Sequence, residues 1–237
     1  MNRVCEVCEA DAFAPLFLEG AYQWERCASC GFVRLHDLLS LADATETESQ
    51  HAAGYAESGL AKFKSKMRRN RRRARRMWRR RPGNRFLDVG SNYGFMVEAA
   101  AECGFDAVGV EISVSLAEAA RRQFPNRDFR SGALEEQSFG DQRFDCVYCS
   151  EVIEHTVDPR AFVAGIAAVM PPGGLLYLTT PHIREYEKRD WRGLGAPGHK
   201  LYFNNDNIAR LLRRTGFAAV KHDFTFWRGI KLWAVRA

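Results

Sequence analysis

An acidic residue and two glycines at a strand-to-helix junction, together with an acidic residue at the end of the next apolar stretch, have the types and spacing to bind a ligand. The stretch from residue 86 to residue 95 reads FLDVGSNYGF, which places Asp88, Gly90 and Gly94 in the order acidic-x-Gly-x-x-x-Gly. Glu111 ends the next apolar stretch, 21 residues after Gly90. Glycine lets the backbone approach a ligand closely, the following helix start offers N–H groups to a carboxylate, and an acid at this distance can accept both ribose hydroxyls. The pattern predicts a site for a nucleoside-containing cofactor.

The spacing of the glycines narrows the choice of cofactor. A dinucleotide fingerprint needs G-x-G-x-x-G, but Asn92 and Phe95 stand where its second and third glycines would be. No G-K-[ST] follows, so a P-loop is excluded. Asparagine tolerates positive φ better than other non-glycine residues, so Asn92 is a mild departure from a glycine. The spacing therefore disfavours NAD and FAD.

Four cysteines near the start of the chain have the spacing of a structural zinc site. Cys5 and Cys8 form one C-x-x-C pair, and Cys27 and Cys30 form a second after 18 intervening residues. Four thiolates suit a tetrahedral ion and leave no open position for a catalytic water. The alternatives are four unrelated thiols or a redox pair, and a redox pair would need a βαβ context that is missing here. We expect structural zinc.

Alternating apolar stretches and helical patterns from Arg85 onward predict how these residues are positioned. The alternation indicates an α/β, Rossmann-like, seven-stranded and mainly parallel sheet whose last strand is antiparallel, because the final two strands, near 217–226 and 230–236, form a hairpin. We predict a zinc-knuckle-like segment over 1–35, a linker and arginine-rich helix over 36–82, with the helix at 61–81, and a cofactor domain over 83–237.

Composition limits the class of protein. The chain has 237 residues and a net charge of +6, yet residues 68–81 carry ten arginines, and without them the remainder has a net charge of −4. The arginine run indicates either a solvated helix face with Met67, Met77 and Trp78 turned inward or an anionic partner: RNA, a nucleotide-linked substrate or an acidic membrane surface. No apolar run is long enough to span a membrane, and the absence of a signal peptide predicts a cytoplasmic protein with reduced thiols.

From about residue 85 to residue 217 the sequence resembles the class I S-adenosylmethionine (SAM) methyltransferases. The acidic-x-Gly-x-x-x-Gly motif resembles their first motif, and SEVIEH at 150–155 resembles the segment after strand four in ubiquinone-type O-methyltransferases. MPPGG at 170–174 and the region 198–217, GHKLYFN…LLRRTGF, are also typical of that branch. With the knuckle added, the chain is similar to a bacterial group that includes sugar C-methyltransferases.

The resemblance implies a site for SAM. Glu111 would bind the ribose, and Ala133 and Leu134 would pack beside the adenine. The residues implied in cofactor binding are Asp88, Gly90, Ser91, Asn92, Gly94, Glu111, Ile112, Ala133, Leu134, Ser150 and Glu151.

Methyl transfer from a sulfonium is an in-line displacement, and a hydroxyl or carbon nucleophile also needs a base. The candidates are His155, His199, Tyr202 and Tyr55. His199 lies in the glycine-rich stretch after strand five, where this fold builds its substrate side, and such a stretch suits a mobile lid. The aromatic residues expected to wall a ring-shaped or apolar acceptor are Trp191, Tyr202 and Phe203.

Three functions stay open at this point. The first is O-, N- or C-methylation of a small molecule, a sugar intermediate or a quinone-like lipid. The second is methylation of RNA or protein guided by the arginine-rich helix. The third is a non-catalytic module that uses the SAM fold or the zinc knuckle only for binding.

Overall fold

The structure is a computed structural model that describes residues 4–36, 63–188, 190–191, 193–223 and 229–237. Most of the predicted linker, Tyr55 and the first two residues of the helix predicted at 61–81 lie outside the described residues.

The described elements alternate between strands and helices from residue 63 to the end. The strands are β1 (Phe13–Glu19), β2 (Tyr22–Cys27), β3 (Val33–Leu35), β4 (Arg85–Val89), β5 (Asp106–Glu111), β6 (Asp128–Ser131), β7 (Cys146–Ser150), β8 (Leu175–Thr180), β9 (Leu201–Tyr202), β10 (Phe217–His222) and β11 (Ile230–Arg236). The helices are α1 (Phe63–Trp78), α2 (Phe95–Glu102), α3 (Val114–Gln123), α4 (Pro159–Ala168), the single turn α5 (Arg184–Glu187) and α6 (Asn205–Arg214), with 3₁₀ turns at Leu134–Glu136 and Ile153–His155.

Seven strands form the main sheet in the order β10-β11-β8-β7-β4-β5-β6. The pairs from β8 to β6 are parallel, and β11 is antiparallel to both of its neighbours. All six residues of β8 are buried, as expected of a central strand covered on both faces. The predicted fold class, with its antiparallel last strand, is confirmed. The carboxyl ends of β4, β5 and β7 meet at one edge, where a parallel sheet binds ligands.

The arginine-rich helix α1 packs against the sheet through its few apolar residues. Met67, Ala74 and Met77 are buried, and the Trp78 ring meets Phe105 edge-on at 4.9 Å between centroids. Burial of these side chains stabilises the packing of α1 against the sheet, although most residues of the helix are charged. Met67 and Met77 turn inward as the solvated-face alternative expected, Trp78 is half-buried, and most arginines of the helix are exposed.

The N-terminal segment forms a second, antiparallel sheet, and this sheet includes a strand from the far end of the chain. Its order is β1-β2-β3-β9, with Val33 opposite Tyr202 in the β3–β9 pair. The Leu35 N–H donates to the Lys200 carbonyl at 3.0 Å, which extends the pairing by one bond. The predicted knuckle of short strands is therefore joined directly to the segment that follows β8. Among the residues that the structure describes, no helix has the length and apolar character that crossing a bilayer requires.

Candidate functional site

The loop between β4 and α2 has the conformation that its glycines and asparagine suggested. Gly90, Asn92 and Gly94 all have positive φ, at 74°, 51° and 75°. A Cβ atom at Gly90 would lie 2.4 Å from Val152 Cγ2, and one at Gly94 would lie 2.4 Å from Phe129 Cζ. Both positions therefore need glycine for conformation and for space.

Two buried carboxyl groups flank this loop. The Glu111 carboxylate accepts hydrogen bonds from the Asn92 N–H at 2.7 Å and the Ser113 N–H at 3.0 Å, so backbone contacts fix its orientation. Asp88 is 2% exposed, and burial, helped by the nearby charge of Glu111, raises the pKa of its carboxyl well above its ordinary value. Two acids so close in a dry site favour ligands that donate hydrogen bonds to them or carry positive charge.

A mainly apolar cavity of about 340 Å³ opens beside Glu111. Ile112, Ala133, Leu134 and Phe162 contribute apolar walls, and Gly90 and Asn92 form one side. Apolar walls with a few fixed polar groups are typical of a site for an aromatic base and its attached sugar.

A second cavity of about 640 Å³ lies on the other side of the same loop and has a different chemistry. Its walls carry the acids Asp88, Glu151 and Glu154 and the rings of His155 and His199. From α1 it receives Lys66, Arg69, Asn70 and Arg73. The two cavities share five lining residues: Gly90, Asn92, Leu116, Glu151 and His155. They therefore adjoin where the glycine loop and the segment after β7 meet.

His155 and His199 are oriented by hydrogen bonds at Nδ1. The Tyr202 hydroxyl has a single proton, which it donates to the Leu194 carbonyl, so its 2.7 Å contact with His199 Nδ1 has the ring N–H as donor. The Gly198 carbonyl can only accept, so His155 Nδ1 likewise donates, at 3.0 Å. When neutral, each ring then carries its lone pair on Nε2. The two rings meet edge to face at 4.7 Å between centroids.

Glu154 completes this group of titratable residues. It is fully buried, one carboxyl oxygen accepts from Thr180 Oγ1 at 2.9 Å, and Oε1 has no hydrogen-bond partner among the residues that the structure describes. Burial raises the pKa of Glu154 to about 8, with repulsion from Glu151 adding to the effect. One donor atom from each of Glu154, His155 and His199 lies within 4.8 Å of the others, a grouping that can share a proton or a cation.

The predicted site residues divide between the two cavities. Ile112, Ala133, Leu134 and Glu111 line the apolar cavity, and Asp88, Ser91 and Ser150 line the polar one. Gly94 lines neither of these two cavities and instead packs against Phe129. Ser150 Oγ contacts Thr179 Oγ1 at 2.7 Å, and Thr179 Oγ1 in turn donates to Glu151 at 2.7 Å.

Two of the aromatic residues expected to wall the acceptor side, Tyr202 and Phe203, lie in the interior, which corrects that expectation for them, and Trp191 lines neither of the two cavities described above. Tyr202 and Phe203 are fully buried, Tyr202 against Trp24 and Phe203 against Phe32 of the N-terminal segment. Burial raises the pKa of the Tyr202 hydroxyl far above its ordinary value. Phe203 belongs to the main hydrophobic core and Tyr202 to a smaller core that includes Trp24 and Val33, and the local sequence pattern does not show this division.

Sequence reasoning missed several residues that line the polar cavity. Tyr186 belongs to the one-turn helix α5, too short to give a periodic signal. Glu154 lies within the SEVIEH segment, but the expectation assigned only its neighbours. The spacing of Lys66, Asn70 and Arg73 on one helix face was available, but not the fact that this face borders a cavity.

The four N-terminal cysteines converge as their spacing predicted. Their sulfur atoms lie within 4.8 Å of one another, with Cys5 Sγ 3.7 Å from Cys30 Sγ and Cys8 Sγ 3.6 Å from Cys27 Sγ. A tetrahedron with metal–sulfur bonds of about 2.3 Å has edges of about 3.8 Å, so the arrangement fits a zinc site with four cysteine ligands. Contact with Cys30 lowers the pKa of the Cys5 thiol to about 5, which favours the thiolate that metals bind.

The family is decided by a match to a family model, that of the methyltransferase domain, over residues 61–222. This range covers well over half of the chain. The chain belongs to this methyltransferase family. The prediction made from the motifs at 88–94 and 150–155 is confirmed at the level of the family.

Curated relatives place the chain near ubiquinone-type enzymes. It is 35% identical over 102 residues to the ubiquinone biosynthesis O-methyltransferase of Coxiella burnetii, an alignment that covers 41% of this chain and 44% of that protein. The corresponding Xanthomonas campestris protein is 34% identical over 104 residues, with 42% and 44% covered. The aligned part of the chain thus spans less than half the length of these curated relatives.

Solved structures share the fold at lower identity. SAM-bound CalS10, an amino pentose methyltransferase from Micromonospora echinaspora, superposes with a TM-score of 0.58 at 20% identity and covers 77% of this chain and 96% of that one. A possible histamine N-methyltransferase from Thermotoga maritima gives a TM-score of 0.53 at 19% identity, with 66% and 84% covered. At these identities the likeness shows the class I methyltransferase fold and no more.

Proposed function

We propose that this chain transfers a methyl group from SAM to a small-molecule acceptor. The observation that carries the proposal is the meeting of an apolar and a polar cavity at Gly90, Asn92, Glu151 and His155. A donor and an acceptor held in adjoining cavities can be aligned for in-line displacement while protein atoms replace most of the water around them. The family match and the fold support the same reaction class.

The apolar cavity would hold the adenosine part of the cofactor. Leu134 and Phe162 would contact the base, and the oriented carboxylate of Glu111 would accept hydrogen bonds from the ribose hydroxyls. The amino group of the methionine part would lie near Asp88, whose negative charge is otherwise costly at 2% exposure. SAM supplies an activated methyl group, and its loss leaves neutral S-adenosylhomocysteine.

His199 is the proposed base for an acceptor in the polar cavity. Its Nδ1 donates to Tyr202, so the lone pair of the neutral ring is on Nε2. As the acceptor atom forms its bond to the methyl carbon, the carbon–sulfur bond breaks and the acceptor proton moves to Nε2. Tyr202, buried behind the ring, is a positioning residue that fixes the tautomer. His155 and Glu154, next to the ring, can pass that proton on.

We also propose that the four cysteines hold a structural zinc ion. The zinc ion would stabilise the N-terminal sheet, which contacts the segment after β8 at two places. β3 pairs with β9, and the Glu19 carboxylate accepts hydrogen bonds from the Gly195 and Ala196 N–H groups at 3.1 and 3.0 Å. The N-terminal sheet therefore fixes both ends of the segment that carries His199. A metal that stabilises this sheet stabilises one wall of the acceptor cavity.

The test begins with cofactor binding and then searches for the acceptor. Calorimetry should detect binding of SAM and S-adenosylhomocysteine to the purified protein. Incubation with methyl-labelled SAM and cell-extract fractions, separated into polar metabolites, lipids, RNA and protein, should label the small-molecule fractions. Label confined to RNA or protein would overturn the acceptor class, and absence of SAM binding would overturn the proposal itself.

The role of His199 is tested by His199→Gln with the acceptor found in that search. We expect kcat to fall by about 10²- to 10⁴-fold with unchanged SAM affinity, as for loss of a general base. His182→Gln is the matched control, because His182 does not line the two cavities and its Nδ1 accepts from the Arg184 N–H. An unchanged kcat in His199→Gln would refute the assignment.

A further inference from the structure

One face of α1 supplies a basic wall to the acceptor cavity. Four polar residues of this helix line the cavity: Lys66 and, three, four and seven residues after it, Arg69, Asn70 and Arg73. This spacing places them on a single helix face. Most of the other arginines in the run point away from the cavity.

The arginines of α1 differ in what neutralises them. Arg71 makes two contacts of 2.6 Å with Glu102, and Arg76 pairs with Asp223 at 2.8 Å. Arg69 and Arg73, by contrast, have no ion-pair partner within the described parts of the chain. The Arg73 guanidinium donates to the Tyr148 hydroxyl at 2.5 Å, a contact that leaves its charge uncompensated.

Asn70 adds an amide to the basic wall. It is 9% exposed, lines the cavity and makes no side-chain hydrogen bond in the described part of the protein. Its amide group faces the cavity, where an oxygen of a ligand can take the place of water as hydrogen-bond partner. An amide beside two guanidinium groups that make no ion pair within the described residues can donate its N–H to the same anionic group.

We infer that the acceptor carries a compact anionic oxygen group, a phosphate or a carboxylate, and binds it to Arg69, Asn70 and Arg73. This inference rests on the proposed function and names the substrate class of the same site. Guanidinium and amide donors on one face match oxygen anions in geometry and in charge.

The charge pattern of the cavity also fixes the direction in which such an acceptor binds. The cavity also carries the Glu151 carboxylate beside the two histidines, so an anion is disfavoured near that acid and attracted to α1. The anionic end therefore lies against the helix and the methylated atom lies toward His199. Arg73, which is half-buried, and Arg69, which is exposed at the edge of the cavity, are both available to pair with that anionic end.

The geometry favours a small molecule over a nucleic acid as the source of the anion. The basic residues in question face a cavity of about 640 Å³ that also contains Glu154 at its wall. A polyanion would also contact the exposed arginines that do not line the cavity, such as Arg68, Arg72, Arg75 and Arg79. Those residues provide matched controls on the same helix.

The experiment measures anion binding to the protein saturated with S-adenosylhomocysteine. Inorganic phosphate and acetate are titrated at constant ionic strength, with ³¹P line broadening for phosphate and the shift in Tm for both anions. We expect Arg69→Gln to weaken phosphate binding about tenfold, the loss typical of one charged hydrogen bond, and Arg72→Gln to leave it unchanged. Arg69 makes no structural ion pair, so the variant is expected to fold.

Comparison of phosphate with acetate identifies which anionic group the acceptor carries, and kinetics with the acceptor itself give a second test. Preferential binding of phosphate indicates a phosphorylated acceptor, and preferential binding of acetate indicates a carboxylic acid. The KM for the acceptor should rise in Arg69→Gln and not in Arg72→Gln, with kcat little changed. Equal loss in both variants would indicate non-specific or nucleic-acid binding, and no loss in either would show that the wall binds no anion. Each of these results overturns the inference, while S-adenosylhomocysteine affinity reports separately on the proposed function.

Discussion

Glu154 links the chemistry of the acceptor cavity to a stability measurement that needs no substrate. Its carboxyl is fully buried, one oxygen accepts a hydrogen bond from Thr180, and the other has no hydrogen-bond partner within the described ranges of the chain. Burial raises its pKa from 4.5 to about 8. Between these values the folded protein keeps a proton that the unfolded chain releases, so the free energy of unfolding decreases as pH rises through this window.

The magnitude follows from the number of protons. One proton difference corresponds to about 1.4 kcal/mol per pH unit, or about 3 kcal/mol between roughly pH 5.5 and pH 7.5. Glutamine at this position resembles the protonated acid and does not titrate. Glu154→Gln should therefore lack this decrease, and its stability relative to the wild type should increase by about that amount across the window.

Urea unfolding at several pH values, followed by circular dichroism, measures this difference. The difference in the free energy of unfolding between variant and wild type removes the contributions of the histidines and carboxylates that titrate in both proteins. Glu118→Gln removes one carboxylate from an exposed position on α3 and is the control for loss of charge alone. If the curves of Glu154→Gln and the wild type run parallel from pH 5.5 to pH 7.5, Glu154 is ionised when folded and the proposed proton-sharing group is wrong.

Three further changes test the cofactor site and the knuckle. Glu111→Ala removes the carboxylate that Asn92 holds in place, and calorimetry should show SAM affinity lower by at least about tenfold; equal affinity would rule out the ribose role. In Gly90→Ala the alanine has to accept a φ of 74° and its Cβ would lie 2.4 Å from Val152, so urea unfolding should show a free energy of unfolding lower by about 2–5 kcal/mol. Adding Val152→Ala should recover the part of this loss that comes from the steric contact and not the part that comes from the backbone conformation. A single variant as stable as the wild type would contradict this interpretation. Cys27→Ser should release zinc by elemental analysis and lower Tm, whereas wild-type protein free of metal would disprove the site.

The cofactor side of the site was largely predictable from sequence because its determinants are local. Asp88, Gly90, Asn92 and Gly94 lie within seven consecutive positions, and their backbone requirements are set by residue type. The strand order then brings Glu111 beside the same loop, as expected of neighbouring parallel strands.

The acceptor side was less predictable because its residues come from distant parts of the chain. The arginine run could be interpreted as a solvated face or as an anion-binding surface, and both interpretations hold for different residues of one helix: Arg71 pairs with Glu102, whereas Arg69 lines the cavity. Likewise, nothing in the spacing of Tyr202 shows that it pairs with Val33 across the chain.

The sequence by itself determined the alternating sheet, the cofactor loop and the convergence of four cysteines, because hydrophobic periodicity, backbone conformation and ligand spacing are properties of short segments. Only the tertiary structure decided which charges are neutralised and which face a cavity. That distinction depends on which side chains from distant segments approach one another, as the buried Glu154 between Thr180 and the two histidines illustrates.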